Sequence, residues 1–110
     1  MPFDEELGNR IREALKRRKG FVEKKMFGGL GFMLNGNMCL GVWKDNLIAR
    51  VGPEVYEEAL KRSFVREFDI TGRPMRGWVM VEPEGIALEE ELREWAQTAI
   101  IFVRSLPTKT

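Results

Sequence analysis

The chain has 110 residues, 44% hydrophobic and 32% charged, with a net charge of +1. That is one domain, residues 1–110, able to bury roughly 65% of the surface its unfolded form exposes. It contains no histidine and a single cysteine, which excludes Ser-His and Cys-His nucleophile pairs, thiolate metal clusters and an intrachain disulfide.

The N-terminus, Met1-Pro2-Phe3-Asp4-Glu5-Glu6, is acidic, unlike a secretory signal or transit peptide. No apolar run reaches the about 18 residues that a membrane-spanning helix needs, so the expected location is the cytoplasm. A helix is expected over residues 4–19. Asp4 is its N-cap, and Glu5 and Glu6 suit the positive end of the dipole. Leu7, Ile11, Ala14 and Leu15 form its apolar stripe. Lys16, Arg17, Arg18 and Lys19 suit its negative end, with Gly20 beyond.

Residues 21–25 lead into a glycine-rich stretch, Met26-Phe27-Gly28-Gly29-Leu30-Gly31. A phosphate loop needs a helix after its glycines, and here a strand follows. The glycines read instead as a tight or bulged strand start. Asn35-Gly36 is the strongest turn signal, because a type I′ hairpin needs positive φ at both central residues. It pairs Met33 with Met38, Phe32 with Cys39, Gly31 with Leu40 and Leu30 with Gly41. One face then carries Leu30, Phe32, Cys39 and Trp43, the other Met33, Met38, Leu40 and Val42. Apolar residues on both faces imply cover on both. Cys39 reads as a buried, inert thiol. A second hairpin at Asp45-Asn46 pairs Trp43 with Ile48, Val42 with Ala49 and Gly41 with Arg50.

Gly52-Pro53 ends this third strand. A short helix follows, with Val55, Tyr56, Ala59 and Leu60 turned inward. Residues 64–70 form a further strand, residues 71–77 a turn-rich loop and residues 78–81 a short buried strand. Glu67, Asp69 and Glu82 read as surface. The closing helix spans residues 88–106, with Leu88, Leu92, Trp95, Ala96, Ala99, Ile100, Phe102, Val103 and Leu106 on its apolar side. Pro107 stops it, and residues 108–110 should fray. The fold class is α+β: an antiparallel meander sheet packed between an N-terminal helix and a long C-terminal helix, with a short helix after the third strand.

Two groups of side chains invite a binding role. Arg73, Arg76 and Trp78 combine guanidinium groups with an aromatic, a mixture that recurs at interfaces. Arg50 belongs with them, since an unpaired internal charge is costly and must reach a carboxylate such as Asp69 or Glu67, the sheet edge, or a partner. Lys16, Arg17, Arg18, Lys19, Lys24 and Lys25 form a basic cluster suited to phosphate contacts. With so small a net charge, any nucleic-acid binding through it should be weak and sequence-independent. No catalytic residue, metal site or cofactor site is expected.

Lys25-Met26-Phe27-Gly28-Gly29, the strand ending Leu47-Ile48-Ala49-Arg50-Val51, the run Gly72-Arg73-Pro74-Met75-Arg76-Gly77-Trp78, and a closing helix with Leu92 and Trp95 occur in that order. Together they resemble the TfoX N-terminal domain family from about residue 10 to 107. The resemblance implies an α+β fold and a non-enzymatic role. The family's best-known members are bacterial regulators of natural competence that look like coactivators working with a cAMP receptor protein. Those regulators carry a second, C-terminal domain, whereas this sequence matches the N-terminal type. The expectation is a small cytoplasmic interaction domain, regulatory through a protein partner and open to homodimer formation. The alternatives are nucleic-acid contact through the basic cluster, or a small-ligand or enzymatic pocket between sheet and helix.

Overall fold

The computed structural model describes residues 3–26, 28–69 and 72–108. Met1, Pro2, Phe27 of the glycine-rich stretch, Ile70, Thr71 and the terminal Lys109 and Thr110 lie outside the described residues, and with them the end of the expected strand at 64–70, the start of the expected loop at 71–77 and most of the tail expected to fray.

The first helix, α1, is Glu5–Leu15. The Asp4 side chain accepts hydrogen bonds from the Glu6 and Leu7 amides, at 2.9 and 3.2 Å, which satisfies two of the helix's free donors. Leu7, Ile11 and Leu15 are buried as their spacing predicts. The helix stops four residues short of the expected Lys19. Arg18 N–H closes a tight turn on the Leu15 carbonyl at 2.8 Å, and Gly20 at φ 91° redirects the chain into the sheet.

Among the described residues six strands follow, in the order β1-β2-β3-β4-β6-β5. They are β1 Phe21–Met26, β2 Gly29–Leu34, β3 Asn37–Trp43, β4 Asn46–Arg50, β5 Val65–Glu67 and β6 Trp78–Val81, all antiparallel to their neighbours. The Asn35-Gly36 turn has φ 53° and 83°, as a type I′ turn requires.

Two registers differ from expectation. Beyond Met33–Met38 the pairing shifts, so that Phe32 faces Leu40, Gly31 faces Gly41 and Leu30 faces Val42. Cys39 is the extra residue of a β-bulge. Both Cys39 and Leu40 consequently pack with the same core, and Trp43 is moved to the other face. The next hairpin turns at Lys44-Asp45, with Lys44 at φ 54°. Trp43 therefore faces Asn46, and Gly41 faces Ile48 instead of Arg50. Lys44 is held there by the chain start: Phe3 bridges to it, and Asp4 N–H donates to its carbonyl at 2.7 Å.

The short helix, α2, is Tyr56–Leu60, with Tyr56 and Ala59 buried but Val55 exposed just before it. The expected strand at residues 64–70 contracts to β5, since Phe64 sits at φ 66° and cannot extend it. After β6 come a short 3-10 helix, Pro83–Ile86, and α3, Glu89–Arg104. Leu88, expected inside the helix stripe, is instead an exposed N-cap whose N–H donates to the Glu91 carboxylate at 2.9 Å.

The class is α+β, with one antiparallel sheet and the two terminal helices. Those helices do not enclose the sheet; they share one of its faces. Arg10 ion-pairs with Glu89 at 2.7 Å, and Arg18 donates to Gln97 at 2.8 Å, tying α1 to α3. Beneath them lie Leu30, Phe32, Leu40, Val42, Leu47, Ala49, Val79 and Val81. The opposite face carries Met38, Ile48 and Met80, covered by Phe68 and Met75 from the segment between β5 and β6.

Cys39 has no exposed surface, and burial pushes its thiol up to about 12. A thiol reagent at pH 8 should label the native protein far more slowly than the unfolded chain, because attack needs an accessible thiolate. Because folding raises this pKa, its stabilising contribution is full below about pH 8.5 and is lost as the pH climbs towards 12. Labelling at equal rates in both states would place the bulge outside the core.

Candidate functional site

Arg50 is the last residue of β4 and pairs with Trp78, the first of β6. Its guanidinium carbon lies 5.0 Å from the Trp78 ring centre and 5.6 Å from that of Phe102 on α3. Trp78 is stacked in turn on Phe68, with ring centres 5.8 Å apart. Arg50 is half-buried, and burial lowers its pKa from the usual arginine value, with a smaller opposing effect from Cys39. Among the described residues no carboxylate pairs with it. Of its two expected internal partners, Glu67 accepts from the Tyr56 hydroxyl at 3.3 Å, and Asp69 is exposed. A cation between two aromatic faces is attracted to both without having its charge cancelled.

The glycines on either side make this arrangement possible. Gly52, at φ 92°, lies flat under Phe102; a methyl group there would come within 2.4 Å of the ring. Gly77 packs against Gly52, and its carbonyl accepts from the Val51 and Gly52 amides at 2.8 and 3.0 Å. The loop before β6 is thereby closed onto the end of β4.

Of the four expected interaction residues, Arg50 and Trp78 meet. Arg76 stands apart, 5.7 Å from the Tyr56 ring centre and 3.5 Å from a Glu57 oxygen on α2. Arg73 is exposed in the same loop and joins neither contact. Phe102 was legible only as a core residue of the closing helix. Beside it runs a groove of about 480 Å3 whose lining includes Gly52, Pro53, Glu54, Val55, Ile101 and Phe102. Val55 and Ile101 are 40% and 62% exposed, so an apolar surface adjoins the unpaired charge. Ile101 falls outside the helix's apolar stripe, and that was the available signal for it.

The basic cluster is divided. Lys16 ion-pairs with Glu13 at 2.7 Å, and Arg17 is exposed. Arg18 and Lys19 flank the end of the sheet near Asn35. Lys24 and Lys25, opposite Gly31 and Leu30, lie towards the other end of β1. Between them Arg12 clamps Glu23 with two hydrogen bonds of 2.7 and 2.8 Å, and this contact holds the Glu23 carboxyl below its usual range. Among the described residues, no His, Cys, Asp and Glu side chains gather in a metal-holding group, and no helix is long and apolar enough to cross a membrane.

The family model described as the TfoX N-terminal domain matches residues 13–103. No curated protein and no solved structure matches the chain. The match takes in every strand, α2, nearly all of α3 and the Arg50–Trp78–Phe102 site. The chain belongs to the TfoX N-terminal domain family.

Proposed function

We propose that this TfoX N-terminal domain is a non-enzymatic cytoplasmic interaction module that engages a protein partner through Arg50, Trp78 and Phe102 and the adjoining groove. The observation that carries this reading is the half-buried Arg50 guanidinium with no carboxylate partner among the described residues. A structural arginine so placed gains little from its charge, since desolvation opposes it. A partner carboxylate would complete the site, and an apolar partner side chain would fill the space between Val55 and Ile101. The partner is therefore an acidic segment with an apolar anchor. A role in regulating transcription or competence follows if that segment belongs to a transcription regulator. A second copy of the chain is the competing occupant.

Arg50→Met keeps the apolar stem and deletes the charge. Unfolding free energy should change by less than about 1 kcal/mol, because lost cation–π attraction is offset by relief of desolvation. Binding should fall sharply. The readout is a comparison of wild type and variant in affinity capture from the native cytoplasm, together with sedimentation of each protein alone. Identical captured proteins and identical sedimentation would refute the assignment. A change confined to sedimentation would identify the partner as a second copy.

A further inference from the structure

The turn that follows α1 and the C-terminal end of α3 converge on a separate pocket of about 390 Å3 beside the Asn35 turn. Arg18, Lys19 and Arg104 stand around it, all exposed, and no carboxylate lines it among the described residues. Phe21, Leu34 and Ile100 supply an apolar floor. Arg18 is positioned by its hydrogen bond to Gln97, at 2.8 Å. The Gln97 amide is neutral, so it orients the guanidinium without cancelling its charge. Cations at helix C-termini are ordinarily explained by the dipole. Arg104 lies in the last turn of α3, but Arg18 and Lys19 stand three and four residues beyond α1, past the turn over which the dipole acts, so the helix ends do not account for all three cations.

We infer that this pocket binds a phosphorylated small molecule of mononucleotide size. The phosphate meets Arg18, Lys19 and Arg104, since guanidinium groups suit phosphate oxygens geometrically and lysine adds a point charge. The body of the ligand lies on Phe21, Leu34 and Ile100. The volume falls within the roughly 300–1,000 Å3 of small-ligand sites. An extended nucleic-acid backbone fits less well. Lys24 and Lys25 lie about 10–13 Å further along β1 at roughly 3.3 Å per residue, and the Arg12–Glu23 pair intervenes.

Calorimetric titration of the full chain at low salt with adenosine monophosphate and with inorganic pyrophosphate tests this. Saturable one-to-one binding of adenosine monophosphate is expected, tighter than that of pyrophosphate because only the former uses the floor. Arg104→Gln and Lys19→Gln should each weaken it about tenfold, while Lys24→Gln and Lys25→Gln leave it unchanged. All four side chains are exposed, so an unaltered thermal midpoint for each variant separates lost binding from lost folding. Absence of saturable binding, equal affinity for the two probes, or equal weakening by all four variants would overturn the assignment. The last result would indicate diffuse attraction of the kind that nucleic acid exploits.

Discussion

Trp95→Ala is expected to lower the unfolding free energy by about 3–5 kcal/mol. Trp95 is 2% exposed, in the core that α3 forms over the sheet with Leu92, Ala96 and Ala99 beside it. Truncation removes the transfer free energy of an indole and leaves a cavity that a helix packed along β3 and β4 can close only in part. The ring also supports Arg62, whose guanidinium carbon lies 4.4 Å from the ring centre and which reaches Glu94 at 3.9 Å. That pair is exposed and adds little. Domains of this size lose about 4–8 °C of melting temperature per kcal/mol, so the fall should be more than about 12 °C. Denaturant melts of wild type and variant measure it. An unchanged midpoint would remove Trp95 from the core and reassign it to an interface.

Trp95 was legible because α3 presents bulky residues at three- and four-residue spacing, a pattern only a helix converts into one face. The Asn35-Gly36 turn was legible for a local reason too: both residues tolerate the φ the turn requires. What the chain conceals is non-local. β1 reads Phe-Val-Glu-Lys-Lys-Met and lacks a clear alternation, because an edge strand is protected by charge. The bulge is invisible because Met38, Cys39 and Leu40 are all apolar, so the pattern does not mark the extra residue. Lys44 takes a left-handed conformation that its residue type does not announce; its contacts with Phe3 and Asp4 hold it there. The candidate site depends on the same kind of information. Arg50 meets Trp78 only because β6 lies beside β4 while β5 takes the outer edge. Nothing local in either segment encodes that order.

Gly29→Ala should be the most damaging small substitution in the glycine-rich stretch, costing about 3 kcal/mol or more, at the upper end for overpacking. A methyl group on Gly29 would lie 2.2 Å from the Val42 carbonyl oxygen and 3.5 Å from the Trp43 Cα. Those atoms are backbone of the neighbouring strand, so no rotamer change relieves the clash. β2 and β3 would have to separate where Leu30 faces Val42, at the end of their ladder furthest from the Asn35 turn. The adjacent glycine is there for a different reason. Gly28 has φ 73° and open space where a Cβ would stand. Gly28→Asn should cost under about 1 kcal/mol, because asparagine tolerates the left-handed region. Urea melts of both variants make the comparison. Amide exchange adds location, since Gly29→Ala should accelerate exchange in β2 and β3 before it affects α3. If Gly29→Ala is no worse than Gly28→Asn, close approach of β2 and β3 is not the reason for the second glycine. The role assigned to it, bringing two strands into contact beneath the helices, would then fall.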